Sequence, residues 1–391
     1  MLVEAHNEEW ELTELQIRRS QAARREARAA LLPQLSASAS VTRNGGVEES
    51  VVAGQIVRQR YDWGTGLSAS IVLFDGPRYP LYSRSGELVE LSRVEASWRR
   101  HVLRLETEQT FYVLAASQRE VEIAQQAVEL RQAYLERAEA MLAADMAIGL
   151  DVARARTELL EAQQRVLEAR ANLGNASDSL SVLIGHADSR ALVARLPEFA
   201  AQTPPDVARG QLADRADFVA QSHAIAAARY AHDAIWWGLL PRLDLRADWR
   251  VGQASVFNPE GTAWSMTLAL TWLLYDGGAR YARADAAQVE IRERTLVLER
   301  SVRRANAELT TALRDWQLAV ASIAVANEQI LAATEAYEVA QARFESGLAT
   351  SIEVIDASQA LFRAEMARNQ TQLRALLATS RYRYLEAIDL Q

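Results

Sequence analysis

The stretch YDGGARYARADAAQVEI, residues 275–291, opens a run that closes on ARFESGLATSIEVIDA, residues 342–357, and its reading decides the fold. A glycine pair starts it, Gly347 ends it, and no Gly or Pro lies between Gly278 and Gly347. Within it Val302, Leu309, Trp316, Ile323, Ile330, Tyr337 and Phe344 recur at steps of seven, with Leu313 and Val320 on the adjoining seam. An apolar residue every seven positions draws a narrow stripe on a helix, and that stripe is buried only against helices lying nearly parallel to it. At 1.5 Å per residue the predicted helix is roughly 100 Å long, beyond an ordinary globular helix.

The chain does this twice. A shift of 202 residues carries Trp316, Ile323, Ile330, Tyr337 and Phe344 onto Leu114, Val121, Val128, Leu135 and Leu142, and carries Val354 and Leu361 onto Val152 and Leu159. LFDGPR (73–78) answers LYDGGAR (274–280), and LLPQL (31–35) answers LLPRL (239–243). Such self-similarity reads as a tandem duplication, residues 1–200 and 201–391, each copy running helix, strand, strand, long helix, helix. In the first copy a helix over about 8–32 stops at Pro33, and a polar loop from Asn44 leads to Gly64. A long helix follows Tyr82 to about Ala144, and a helix over about 151–183 returns it as an αα-hairpin. The stretch 185–213, with Pro197, Pro204 and Pro205, reads as the link; a helix over about 214–237 then opens the second copy.

Where the period changes from seven to two, strands are predicted over about 34–43, 65–74, 242–251 and 263–274. Leu35, Ala37, Ala39 and Val41 alternate with serines and Thr42; Trp264, Met266, Leu268, Leu270 and Trp272 alternate with small polar residues. Four half-apolar strands need a cover. Either they pair beneath the helices in a soluble α+β protein, or they cross a bilayer. Their length suits the second, and Tyr61, Trp63, Trp249, Trp264 and Trp272 sit where interfacial aromatics belong. Closure of a barrel begins at about eight strands, so a barrel would have to be shared among protomers.

Composition excludes much. The 391 residues are 49% hydrophobic and 24% charged, which excludes a disordered chain. Net charge is −8 and the arginines alternate with glutamates, leaving no basic footprint for nucleic acid. With no cysteine there is no disulfide, thiol chemistry or Cys-ligated metal. Of the five histidines only His223 and His232 are close in sequence, at a spacing that suits no helix-borne metal site. No GxSxG, Walker or GxGxxG sequence occurs, so neither an enzyme nor a cofactor is expected. No 18-residue apolar window marks a transmembrane helix, and MLVEAHNEEW has no export-signal pattern.

The residues quoted, above all ARFESGLATSIEVIDASQALFRAE (342–365) and the paired LFDGPR and LYDGGAR, resemble the TolC-type outer-membrane efflux and secretion ducts of Gram-negative bacteria. The resemblance covers nearly the whole chain. It implies a mainly α fold with a membrane β-barrel: a homotrimer whose four strands per protomer make a twelve-stranded β-barrel, continuous with an α-barrel of long antiparallel helices. Implied partners are a periplasmic adaptor (membrane fusion) protein, an inner-membrane pump and outer-membrane lipid, without nucleic acid. The implied function is a passive exit duct for small molecules or polypeptides in tripartite efflux or type I secretion; the alternative is a coiled-coil periplasmic adaptor or scaffold. An outer-membrane location requires export, so the natural gene is expected to extend upstream of Met1.

The resemblance also assigns residues. Asp75, Gly76, Asp276, Gly277 and Gly278 become strand-to-helix turns, where glycine supplies positive φ; Pro77 replaces the second glycine in the first copy. Glu353 and Asp356, three apart on one helix face, become stacked acidic rings at a periplasmic gate. Without the resemblance they are helix-start acids favoured by the macrodipole. Ala147, Gly149 and Asp151 in one hairpin tip, and Gly347, Ala349 and Ser351 in the other, become adaptor-facing positions that would otherwise be plain solvent-exposed turns. Relatives often carry arginine where Ala349 stands, so a weaker lock, or one using Arg154 or Arg156, is expected.

Overall fold

Alternating side chains, continued over four strands, make a sheet with two unlike faces. The structure, a computed structural model, describes residues 7–43, 45, 50–52, 55–58, 61–185, 192–197, 215–252 and 260–386. Its elements are α1 (Glu8–Ala29), β1 (Gln34–Arg43), β2 (Ser50–Val52), β3 (Gln55–Arg58), β4 (Tyr61–Phe74), α2 (Arg78–Ala143), α3 (Gly149–Ile184), α4 (Ala216–Trp237), β5 (Arg242–Gly252), β6 (Thr262–Thr271), α5 (Ala279–Glu345) and α6 (Ser351–Glu386). Helix therefore dominates, with strands grouped around two strand-to-helix passages.

The chain divides into two compact units, one of Leu15–Ala96 with Asp217–Arg300, the other of Met1–Glu14, Ser97–Ala216 and Ser301–Gln391. Each draws on both sequence halves. The first unit holds an antiparallel sheet in the order β1-β4-β5-β6. The register pairs Leu35 with Ala69, Leu67 with Trp249, Leu245 with Leu268 and Trp249 with Trp264, so one face is apolar from edge to edge. That face is bare: Leu35 is 76% exposed, Trp264 79% and Leu270 67%. Among the described residues neither outer edge, β1 or β6, has a strand beside it.

Three strand limits differ from expectation. β4 starts at Tyr61 instead of about residue 65, because Arg43, Thr42 and Val41 continue the ladder onto Tyr61, Asp62 and Trp63. β6 stops at Thr271 instead of 274: its partner β5 begins at Arg242, and beyond that pair there is nothing to ladder with. The Trp272 indole N–H instead donates to the Leu239 carbonyl at 2.9 Å. The expected polar loop carries the small hairpin β2–β3, whose strands of three and four residues are too short to register as a strand signal. Most of the expected 185–213 link lies outside the described residues; 192–197 is irregular, and its Leu192 carbonyl and Ala194 N–H are clamped by the Gln118 amide at 3.1 and 2.9 Å.

The second unit is two helical hairpins. Leu114, Leu135, Leu159, Val166, Leu180, Trp316 and Phe344 of the seven-step series are buried. Leu142 and Val302 are exposed and leave the seam. Beside the large residues runs a track of small ones at the same step: Ala155, Ala162, Ala169 and Ala176 on α3, and Ala305, Ala312, Ala319 and Ala326 on α5, all nearly inaccessible. Alanine at a seam lets helix axes approach toward the short end of the 8–10 Å range. Asn7 caps α1, its Oδ1 accepting the Glu9 N–H at 2.8 Å, and its amide donates to the Leu183 carbonyl at 2.5 Å.

Candidate functional site

The two hairpin tips are built alike. After α2, the Met146 N–H returns to the Met141 carbonyl at 2.8 Å and the Asp145 N–H to Leu142 at 3.1 Å; after α5, Leu348 returns to Arg343 at 2.8 Å and Gly347 to Phe344 at 3.0 Å. These are helix ends closed by a left-handed residue. The shift of 202 that aligns the apolar positions also aligns these bonds. Gly347 supplies the left-handed residue in one tip, at φ 71°, and Asp145 in the other, at φ 56°. Gly149, expected to mark the first turn, instead opens α3 in the right-handed region, because the reversal is finished four residues earlier.

Each returning helix begins on an acid. The Glu353 Oε1 accepts both the Thr350 N–H and the Thr350 hydroxyl at 3.2 Å, and the Asp151 Oδ2 accepts the Ile148 N–H at 3.3 Å. Both are capping contacts that satisfy free backbone donors at a helix start. Glu353 and Asp356 are exposed, and among the described residues Asp356 has no ion-pair or hydrogen-bond partner. The Asp151 carboxylate does a second thing: its Oδ1 accepts the buried Ser351 hydroxyl of the other hairpin at 2.6 Å. The Tyr134 hydroxyl donates to the Ser351 carbonyl at 3.4 Å, and the Tyr134 ring lies 5.7 Å from that of Phe344.

Ala349 packs half-buried against the apolar cluster of Tyr134, Leu135, Leu159, Phe344 and Val354. Neither Arg154 nor Arg156 forms an ion pair within the described residues of one protomer; Arg154 lines a cleft of about 440 Å³ with Leu150, Glu158, Ile352 and Ile355. Ala147 is half-buried, and in the two tips Met146, Ile148, Leu150, Leu348 and Ile352 stand exposed, Leu348 at 71%. Sequence periodicity does not reveal this apolar crown, because it breaks the seven-step rule at the turn.

Deeper in the hairpins lies a polar cluster that sequence patterning also misses. Arg131 occupies a seam position, and its Nε lies 3.4 Å from the Glu158 Oε2, with both side chains sequestered. Gln359 of α6 donates to the other Glu158 oxygen at 2.8 Å. Burial pushes the Arg131 guanidinium below its usual pKa, and Glu158 pulls it back. Further along α6, the Asn369 amide donates to the Ala116 carbonyl at 3.0 Å and the Gln372 amide to that of Pro197 at 3.0 Å. The two hairpins are thus joined by polar links from tip to root.

At the strand-to-helix turns the glycines act differently from one another. Gly277 and Gly278 have φ of 68° and 86°, as expected. Gly76 does not adopt positive φ; there a Cβ would collide with the Trp237 carbonyl, so the demand is for close backbone approach. Asp75 and Asp276 are both held by arginine: Arg78 Nε at 2.9 Å from Asp75, and Arg283 and Arg280 at 3.2 and 3.7 Å from Asp276. Arg78 also donates to the Ala30 carbonyl, and Arg280 to that of Leu273 at 3.3 Å. These arginines close both motifs, and in the sequence their role shows only as a repeated letter.

The comparison with known proteins agrees with this architecture. The model of the family described as outer membrane efflux protein matches residues 3–186 and 209–383. Outer membrane protein OprJ of Pseudomonas aeruginosa is 26% identical over 234 residues, 56% of this chain and 46% of OprJ, so the matched stretch is less than half of that relative. Cation efflux system protein CusC of Escherichia coli is 21% identical over 372 residues, 91% of this chain and 78% of CusC. Crystal structures of CusC (TM-score 0.86, 18% identity, covering 98% of this chain and 90% of that one) and of VceC from Vibrio cholerae (0.84, 19%, 98% and 94%) share the fold. With the family model running through both halves and the same fold recurring along almost the entire chain, the chain belongs to the outer membrane efflux protein family.

Proposed function

We propose that three copies of this chain close their sheets edge to edge into one twelve-stranded barrel and their hairpins into one helical conduit. The family is one of outer-membrane exit ducts of tripartite efflux systems. One observation carries the closure: a four-stranded sheet with an exposed apolar face and two bare edges, which is unstable in water and unfinished in lipid. Four strands do not close alone, and three copies give twelve. The apolar face meets lipid and the polar face lines the lumen. Asp75, Gly76, Asp276, Gly277 and Gly278 turn the chain from barrel to helix.

In this assembly the tips are the inner mouth. Glu353 and Asp356 form stacked acidic rings there and favour cations at the constriction. The cross-hairpin bond of Ser351 to Asp151, supported by Tyr134, takes the place of an arginine latch. The exposed crown of Met146, Ile148, Leu150, Leu348 and Ile352, with Ala147, Gly149, Gly347 and Ala349 shaping its backbone, is the surface offered to a periplasmic adaptor and, through it, to an inner-membrane pump. The duct is a passive conduit for small molecules or polypeptides and has no catalytic role.

The test is the mass of the detergent-extracted protein, by light scattering corrected for bound detergent. Three times the 43.4 kDa chain is expected. A monomer or dimer that stays in solution without detergent would sink the shared barrel.

A further inference from the structure

The polar face of the sheet is not uniform. On β1, β4 and β6 it is mostly Ser, Thr, Gly and Ala, with Gln34, Val72 and the carboxylate of Asp62 as the exceptions, and the Ser36 and Ser68 hydroxyls are 2.7 Å apart. On β5 it is Arg242, Asp244, Arg246, Asp248 and Arg250, alternate residues of one strand. Arg242 grips Asp244 with contacts of 2.8–3.0 Å, and Arg246 grips Asp248 at 2.9 and 3.1 Å. The two partners of each pair are unequally exposed. The Asp248 side chain is 14% exposed against 59% for Arg246, and Asp244 29% against 48% for Arg242. The carboxylates lie down against the sheet and the guanidinium groups face outward. Arg250 has no ion-pair partner among the described residues.

The neighbours make room for this column. Across the ladder Arg246 lies between Ser70 and Thr267, and Arg250 between Gly66 and Ala263. A Cβ on Gly66 would sit 3.4 Å from the Arg250 Cγ, so the glycine clears the floor on which that side chain rests. Asp62, on the same face of β4, lies four residues beyond Gly66 toward the Tyr61 end.

We infer that β5 carries a transit site for anionic groups: three outward guanidinium heads, stacked along the strand, that take carboxylate, phosphate or sulfonate moieties of the cargo in turn. Guanidinium suits these groups because its planar fork offers paired donors and it never loses its charge. Arg242, gripped by Asp244 and also 3.9 Å from Asp75, and Arg246, gripped by Asp248, hold an anion weakly enough to release it, and Arg250 supplies the uncompensated charge. The site rests on the reading that the polar face lines a closed lumen. Three copies would set three such columns in the barrel, opposite in sign to the acidic tips.

The chain has no cysteine, so single thiols report cleanly. Ser265 and Met266 are neighbours on opposite faces of β6, and Ser265 pairs with Asp248, diagonal to Arg250. Ser265→Cys and Met266→Cys are made in the full chain in outer-membrane vesicles at about 10 mM salt, where screening extends to roughly 30 Å. Each is labelled with a sulfonate-bearing or a trimethylammonium-bearing methanethiosulfonate. One charge at a diagonal distance of roughly 8 Å in water changes the ratio of anionic to cationic labelling by about fourfold. The S265C ratio is therefore expected to fall about fourfold on adding Arg250→Gln, while M266C stays unlabelled. If S265C is labelled but its ratio ignores Arg250→Gln, the anion site is wrong and the lumen reading stands. If M266C is labelled and S265C is shielded, the faces are reversed, and the closed barrel falls together with the site.

Discussion

Replacing Glu158 by glutamine should loosen the hairpins far more than replacing Arg131 and Glu158 together. The Arg131 side chain is 5% exposed and that of Glu158 15%, with the Nε–Oε2 contact at 3.4 Å. At an effective dielectric of about 20 two unit charges at that distance attract by roughly 5 kcal/mol before desolvation is counted. The two terminal guanidinium nitrogens are buried without hydrogen-bond partners, so the ion rests mainly on Glu158, with a smaller pull from Glu161. Being fully buried inside one protomer, they are beyond the reach of any neighbouring chain. Glu158→Gln keeps an oxygen for Gln359 but strands the charge, which costs about 3–5 kcal/mol in comparable pairs. Arg131→Met with Glu158→Gln removes charge and counter-charge at similar volume, and is expected to match the parent within about 1 kcal/mol or exceed it. Hydrogen exchange of α2 and α3 amides around these positions reads the difference as local opening, roughly 150- to 5,000-fold faster for the single variant at a cost of about 3–5 kcal/mol. If Glu158→Gln exchanges within threefold of the parent, the cluster is a hydrogen-bonding device centred on Gln359, and the electrostatic account is refuted.

Other expectations follow from single contacts. Gly76→Ala drives a methyl into the Trp237 carbonyl and should cost about 1–3 kcal/mol, whereas Gly149→Ala, with open space around it at a helix start, should be neutral or stabilising; equal melting temperatures for the two would count against the turn geometry. Burial holds the Glu365 carboxyl above its ordinary pKa against the opposite pull of Arg119. Such a group binds its proton more tightly folded than unfolded, so its charge opposes folding at neutral pH and the penalty lifts as pH falls through the folded value. Glu365→Gln should therefore raise the melting temperature at pH 7 and lose that advantage below about pH 4; an advantage that grows on acidification would contradict this. Glu353→Gln with Asp356→Asn should lower the cation preference of single channels in a potassium chloride gradient, and an unchanged reversal potential would remove the acidic rings from the gate.

Much of the fold is legible because two periods, seven and two, are written in large side chains. Val121 to Leu135 and Trp316 to Phe344 announce seams, and Leu35 to Val41 announces a strand, since large apolar residues rarely recur at a fixed step unless they share one buried or lipid-facing side. Smaller or singular signals are not legible. The alanine tracks of α3 and α5 share the step of seven, but alanine is common on every helix face and its burial shows only once the helices are packed. Arg131 reads as a surface charge, because its partner Glu158, and the Gln359 that donates to Glu158, stand on two other helices, one of them in the other hairpin. The glycine of Asp75-Gly76 is necessary for a different reason than its motif suggests: sequence cannot distinguish a positive φ from a backbone carbonyl pressing on the same atom.

The same limit explains why the duct's charge pattern emerges only from the structure. On β5 the letters RLDLRADWR are balanced nearly one to one, and balance suggests a neutral strip. What breaks the balance is length. Aspartate has one methylene and lies against the sheet, while arginine has three and lifts its guanidinium above the carboxylate it holds. If this face lines the lumen as proposed, a solute passing it meets the longer side chains first, and so meets positive charge. At the tips the order is reversed: Glu353 is tied back to Thr350, but Asp356 points free, and the presented charge is negative. On the proposed reading a cargo bearing both signs would find a complementary group on both the sheet face and the tips, whereas a simple ion of either sign would meet one favourable surface and one opposed. Reversal potentials should therefore move toward cations for Arg250→Gln, which removes a positive charge, and toward anions for the Glu353, Asp356 double variant, which removes negative ones. Shifts of the same sign in both would break the two-section account.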